Sequence, residues 1–281
     1  MKTMSLLSGR EIPVLGQGTW EIGDDPSRRK AEVGALRLGL DLGMTLIDTA
    51  EMYGEGGAET VIAEAIAGRR SDAFIVSKVY PQNATRRGAV EACDRTLKRL
   101  KTHYIDLYLL HWRESTPLAE TLDAFQALKE AGKILDYGVS NFDLADMEEA
   151  TALAGGKAIV IDQVLYNVMQ RGIDWDLLPW CRQRGIHIMA YSPIEGSGGK
   201  QHSLLNHPSL KVIAARHHAT PAQVALAWLL QKNVIVIPKS ANAEHVRENR
   251  GALDVELMQE DLEEFERAFP PPRKKVELQM R

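Results

Sequence analysis

Between residue 15 and about residue 250, short apolar runs rich in β-branched residues alternate with longer segments whose apolar residues recur at helical spacing. The runs are LGQGTW (15–20), MTLID (44–48), AFIVSKV (73–79), IDLYLLHW (105–112), ILDYGVS (134–140), AIVIDQV (158–164), IHIMAYS (186–192) and NVIVIPK (233–239). A βα repeat of this kind makes parallel strands joined by helical crossovers, with strands buried on both faces. Eight strands fit an open doubly wound sheet or a closed barrel, and the number eight favours closure.

The connecting segments carry helix punctuation. RRKAEVGALRLGLDLG, RRGAVEACDRTLKRL and TPLAETLDAFQALKEAG end near Gly or basic residues, as helix C-termini do. PAQVALAWLLQK opens at Thr220-Pro221, where Thr caps and Pro occupies the first turn without losing a needed bond. The leading segment MSLLSGREIPVL reads as a β-hairpin turning at Ser8-Gly9, an extra piece suited to capping the N-terminal mouth of a barrel. No repeat, low-complexity tract or linker divides the chain, so residues 1–281 read as one (β/α)8 domain.

Composition narrows the function classes. With 44% hydrophobic and 26% charged residues the chain can bury a large core, and a net charge of −4 argues against nucleic acid as the main partner. The apolar run in MKTMSLLSGR is too short for a signal peptide, and no stretch reaches the length of a membrane span, so a cytoplasmic protein that binds no membrane is expected. Cys93 and Cys181 stand in helical segments without neighbouring ligands, which predicts reduced packing thiols and no metal site.

Active sites of α/β barrels gather at the C-terminal ends of the strands. There the sequence has Asp48, Tyr53 in the following loop, Lys78 and His111, on three successive strands. These types compose a proton donor for a carbonyl: Tyr53 gives the proton, Lys78 favours its phenolate, Asp48 holds Lys78 and His111 orients the substrate oxygen. Singly, each is as readily a cap, a packed aromatic, a solvated cation or a satisfied core histidine; jointly they point to a site. A metal-dependent hydrolase would need more strand-end histidines than this one. Gly16-Gln17-Gly18 lacks the third glycine of a dinucleotide fingerprint, so a Rossmann phosphate site is disfavoured.

The motifs LIDTAEMYG, VSKVY, DLYLLHW, GVSNF, QVLYN, AYSP and IPKS occur here in an order and spacing that resemble the aldo/keto reductase superfamily, in particular its shorter bacterial members active on methylglyoxal and similar aldehydes. The resemblance spans nearly the whole chain. It implies reduction of aldehydes and ketones by direct hydride transfer, with Asp48, Tyr53, Lys78 and His111 as the catalytic tetrad and Tyr53 as general acid. It also implies extended NADPH across the barrel mouth, with NADH use left open.

The cofactor contacts implied by that resemblance are Thr19 and Trp20, then Ser140, Asn141 and Gln163 toward the nicotinamide amide, and Tyr191 stacked on its ring. Ser192, Pro193, Ile194, Gly196 and Ser197 belong to a Gly-rich loop for the pyrophosphate, where Glu195 must point away or meet sugar hydroxyls. Lys239 and Ser240 resemble the clamp on the 2′-phosphate, and Glu248 and Asn249 the adenine-side pair. Here the chain departs from the pattern: His245 stands where many NADPH-dependent members have Arg, and a neutral imidazole gives no bidentate grip on phosphate. Trp20 and Trp112 correspond to substrate-pocket walls, and the short polar tail PPPRKKVELQMR suggests an open, tolerant site. A small carbonyl compound and a monomer are the expected partner and state. Some barrels of this family act as non-enzymatic subunits of membrane proteins, a reading that the intact tetrad disfavours.

Overall fold

The computed structural model describes residues 2–194 and 204–281. Eight parallel strands follow one another in chain order: β3 Gly16–Gly18, β4 Leu46–Asp48, β5 Phe74–Val79, β6 Ile105–Leu110, β7 Ile134–Ser140, β8 Ile159–Leu165, β9 His187–Tyr191 and β10 Ile235–Val236. The sheet closes on itself. Val236 N–H donates to Val14 O at 2.9 Å and Gly18 N–H to Pro238 O at 3.0 Å, with parallel bridges from Leu15 to Val236 and from Gly18 to Lys239. The expected (β/α)8 barrel is therefore the fold.

The last strand is shorter than the 233–239 run predicted. Pro238 has no N–H to give a ladder, so regular pairing stops at Val236 and the seam continues only as isolated bonds. At that seam Gly18 is required, because a Cβ there would stand 2.9 Å from the Ile237 carbonyl oxygen.

Outside the barrel run helices α1 Arg29–Asp41, α2 Gly57–Ala65, α3 Arg86–Leu100, α4 Leu118–Glu130, α5 Leu144–Ala152, α6 Leu177–Gln183, α7 Pro208–Arg216, α8 Pro221–Gln231, α9 Ala243–Gly251 and α10 Gln259–Ala268, those of the described residues. Thr220 caps α8 as the sequence predicts, in a reciprocal pair with Gln223 that satisfies two otherwise orphaned N–H groups. Cys93 and Cys181 are buried free thiols, and burial pushes the Cys93 thiol up to about 12 and that of Cys181 up as well.

The hairpin β1 Thr3–Ser5 and β2 Glu11–Pro13 pairs antiparallel and closes the barrel bottom. Leu6 and Ile12 enter the interior cluster of Leu46, Phe74, Val76, Leu107, Leu109, Ile161, Met189, Ile235 and Ile237. Polar bonds lock it there: Ser8 and Arg10 donate to Asp136, and Arg10 also reaches Asp106 at 2.9 Å.

Side chains alternate across a strand, so the interior cluster also fixes what lies above it. Two residues beyond Leu46, Val76, Leu109, Ile161, Met189 and Ile237 come Asp48, Lys78, His111, Gln163, Tyr191 and Lys239. The apolar interior and the polar mouth are successive layers of one pattern. On β8 that layering depends on a bulge: Tyr137 pairs with Ile159 but Val139 with Asp162, so β8 spends one extra residue there. Gly138 makes the space, since a Cβ on it would lie 2.4 Å from the Ile161 carbonyl oxygen.

Candidate active site

Lys78 is wholly buried, and its ammonium is held by four oxygens. Nζ lies 2.9 and 2.8 Å from Asp48 Oδ1 and Oδ2, 2.8 Å from Thr49 O and 3.5 Å from the Tyr53 hydroxyl. Asp48 is 3% exposed, so this is an ion pair taken out of water, where mutual attraction and hydrogen bonds offset the desolvation cost. Burial pushes the Asp48 carboxyl up and the Lys78 ammonium down, and their contact opposes both shifts.

Tyr53 starts a short 3₁₀ turn, Tyr53–Gly56, after β4. Gly54, Glu55 and Gly56 all have positive φ there, which folds the chain sharply back and turns Tyr53 inward. Its ring meets Trp20 edge-on at 5.0 Å and His111 at 5.7 Å, so the phenol is clamped between aromatic groups above the ammonium.

Burial first and the Asp48 charge second hold the Tyr53 phenol well above its ordinary range, beside the Lys78 ammonium at 3.5 Å. Tyr53 therefore keeps its proton at neutral pH, the state a donor must have. His111 is pushed down to about 2 by burial and by the nearby Lys78 cation, so it is a neutral imidazole, and its Nδ1 is buried with no hydrogen-bond partner among the described residues.

Around this centre lie the amide-bearing side chains. Ser140 Oγ donates to Gln163 O at 2.8 Å; Asn141 Nδ2 donates to His111 O at 3.1 Å and to Ser140 Oγ at 3.2 Å; the Tyr191 hydroxyl donates to Asn141 Oδ1 at 2.8 Å. Asn141 and Ser192 both adopt positive φ, and Asn167 Nδ2 fixes Ser192 O at 2.9 Å. Gln163 Nε2 donates to Asp48 Oδ1 at 2.7 Å, a bond that the sequence reading lacks.

Other expected contacts fall in different places. Thr19 is fully buried, and its hydroxyl donates to Asp48 O at 2.9 Å. Trp20 is half exposed at the rim, and Trp112 meets Tyr80 edge-on at 5.1 Å. Pro193 and Ile194 follow Ser192 in the described chain, whereas Gly196, Ser197 and Glu195 lie outside the described residues. Lys239 sits at the seam, 3.7 Å from Glu21 of the β3 loop, and Ser240 bonds Asn242 beside it. On α9, His245 is exposed, Glu248 half-buried and Asn249 buried.

Sequence reasoning also missed Asp162, whose carboxyl is wholly buried on the outward face of β8 and pushed well above the carboxylate range by burial. The tail is not a loose end, since Leu278 packs against the core. Among the described residues, no three His, Cys, Asp or Glu side chains converge as a metal cluster would.

A family model described as the aldo/keto reductase family matches residues 14–269. Methylglyoxal reductase YeaE of Escherichia coli (strain K12) is 48% identical over 270 residues, covering 96% of this chain and 95% of that protein. Glyoxal reductase of Bacillus subtilis (strain 168) is 33% identical over 265 residues, covering 94% and 91%. A crystal structure of an aldo-keto reductase from Klebsiella pneumoniae in complex with NADPH superposes with a TM-score of 0.96 at 44% identity, covering 99% of each chain.

Proposed function

Since the chain belongs to the aldo/keto reductase family, we propose that it reduces small aldehydes and ketones, methylglyoxal among them, to alcohols with NADPH, and that Tyr53 is the general acid. The observation that carries this reading is the Lys78 ammonium, wholly buried and within hydrogen-bond reach of both Asp48 and the Tyr53 hydroxyl.

The mouth suits a nicotinamide cofactor. Ser140, Asn141 and Gln163 offer neutral donors and acceptors, which match an uncharged amide, beside the flat ring of Tyr191. Lys239 and Ser240 lie at the seam, where a cation and a hydroxyl suit a phosphate. When bound, the reduced cofactor supplies hydride to the carbonyl carbon.

The chain's own groups handle the oxygen. His111, neutral, gives its N–H to the carbonyl oxygen and aims it at Tyr53. Tyr53 transfers its phenolic proton as negative charge develops on that oxygen, and the O–H bond of the product alcohol forms as that of the phenol breaks. Lys78 stabilises the phenolate left behind, and Asp48 keeps Lys78 charged and in place until solvent returns the proton. Trp20, Trp112 and Tyr80 make the apolar walls that exclude water. In this reading the protein acts in the cytosol as a monomer.

Tyr53→Phe tests the mechanism. Loss of reduced-nicotinamide absorbance with methylglyoxal should slow by about 10²- to 10⁴-fold, with NADPH binding retained. Full turnover by Tyr53→Phe would sink it. An enzyme that binds NADPH and reduces no aldehyde across a broad panel would favour the subunit reading instead.

A further inference from the structure

Accepting Tyr53 as proton donor, we propose that Gln163 is a positioning residue for that proton: by donating to Asp48 it releases one Lys78 hydrogen for the Tyr53 oxygen.

The argument is a count of donors. An ammonium has three hydrogens. Lys78 Nζ faces four acceptors: Asp48 Oδ1 at 2.9 Å, Asp48 Oδ2 at 2.8 Å, Thr49 O at 2.8 Å and Tyr53 Oη at 3.5 Å. One acceptor must share, and the longest contact is the one to Tyr53. A second donor at Asp48 weakens that carboxylate's demand on Lys78. Gln163 Nε2 is that donor, 2.7 Å from Oδ1, closer than Lys78 itself.

The amide is built into this place. Gln163 is 2% exposed, its Nε2 also lies 3.0 Å from Met189 Sδ, and its backbone carbonyl accepts the Ser140 hydroxyl. The β8 bulge opposite Gly138 comes just before it and sets which way the side chain faces. Water has little room to replace its N–H. Without it, Oδ1 takes a full share of the ammonium and Tyr53 loses the hydrogen that stabilises its phenolate as the proton leaves.

The titratable and charged groups facing this cluster are Lys78 from β5, Tyr53 from the turn after β4, His111 beyond β6 and Tyr191 from β9, with Glu59 of α2 behind Lys78 and Asp162 on the outer face of β8. Gln163 itself does not titrate, so it can act on the pH profile only through these.

The test separates positioning from cofactor grip. Gln163→Met fits beside Met189 and removes the donor; NADPH affinity is read from quenching of protein fluorescence, and kcat from pH profiles at saturating NADPH and methylglyoxal. The expected result is a kcat lower by about tenfold, the worth of one charge-assisted hydrogen bond, with the alkaline limb of the profile moved to higher pH. In an Asp48→Asn background the same substitution should move the profile no further.

A raised NADPH Kd with an unchanged profile at saturation overturns the proposal, as does an equal shift in the Asp48→Asn background. Should Gln163→Met fail to fold, Gln163→Leu removes the donor without adding charge and should shift the limb in the same direction. Tyr53→Phe, run alongside, keeps the two readings apart. Full activity in Tyr53→Phe defeats the donor assignment itself, whereas an inactive Tyr53→Phe with an unmoved Gln163→Met profile defeats only the inference about Gln163.

Discussion

Lys78 Nζ is bound by both carboxylate oxygens of Asp48, with the ammonium wholly buried and the carboxylate nearly so. Removing one partner of such a pair leaves a buried charge uncompensated, at a cost of about 3–5 kcal/mol, while removing both can be neutral. Asp48→Leu should therefore unfold in urea well before the wild type. Asp48→Leu combined with Lys78→Met should recover most of that stability and none of the activity. Equal stability of the single and double variants would contradict the pair's burial.

His111 links acid to stability. Its folded pKa lies at about 2 against an ordinary 6.5, so between those values the unfolded chain binds a proton that the native state refuses. The contribution is fully present above about pH 6.5 and falls by about 1.4 kcal/mol per pH unit as the solution is acidified. His111→Gln should flatten the acid limb of a stability–pH curve measured by urea unfolding from about pH 7 to 5.

Glu21 competes for Lys239. The two are 3.7 Å apart across the seam, and a cation engaged with a carboxylate is less available to a phosphate. Exposed pairs are worth about 0–1 kcal/mol, so Glu21→Gln should lower the KM for NADPH up to about fivefold in low salt and leave that for NADH alone. High salt should erase the difference.

The barrel floor and the β7–β8 bulge should respond differently to substitution. Ile12→Ala empties part of the floor and should cost about 2–5 kcal/mol with kcat unchanged at saturation. Gly138→Ala forces the Ile161 carbonyl aside and should cost about 1–3 kcal/mol, and it should also lower kcat, because Ser140 and Gln163 lie just downstream on the strands that meet there. Thermal unfolding and steady-state kinetics distinguish the two.

What could be read from the sequence follows period and position. Strand ends carrying Asp48, Lys78 and His111 were visible because every second residue beneath them is apolar, and Thr220-Pro221 marked α8 because caps are local chemistry. Quantities set by distant chain segments were not visible. The high Tyr53 pKa comes from burial among Trp20 and His111, the Gln163–Asp48 bond joins residues 115 apart, and the bulge on β8 arises from its register with β7. Thr19's bond to the Asp48 carbonyl likewise joins residues 29 apart on neighbouring strands. The Glu21–Lys239 contact depends on barrel closure, which no local pattern specifies.

The seam joins the first barrel strand to the last, so the ring cannot be completed until some 220 residues of intervening chain have found their places, the largest loop the fold has to close. During synthesis the hairpin and early strands emerge with one edge unpaired and wait for β10. The Lys239 side of the mouth exists only after that final pairing. A chain whose seam has not formed lacks the site's far wall, so under the proposed function an intact grip on cofactor reports that the whole ring has closed.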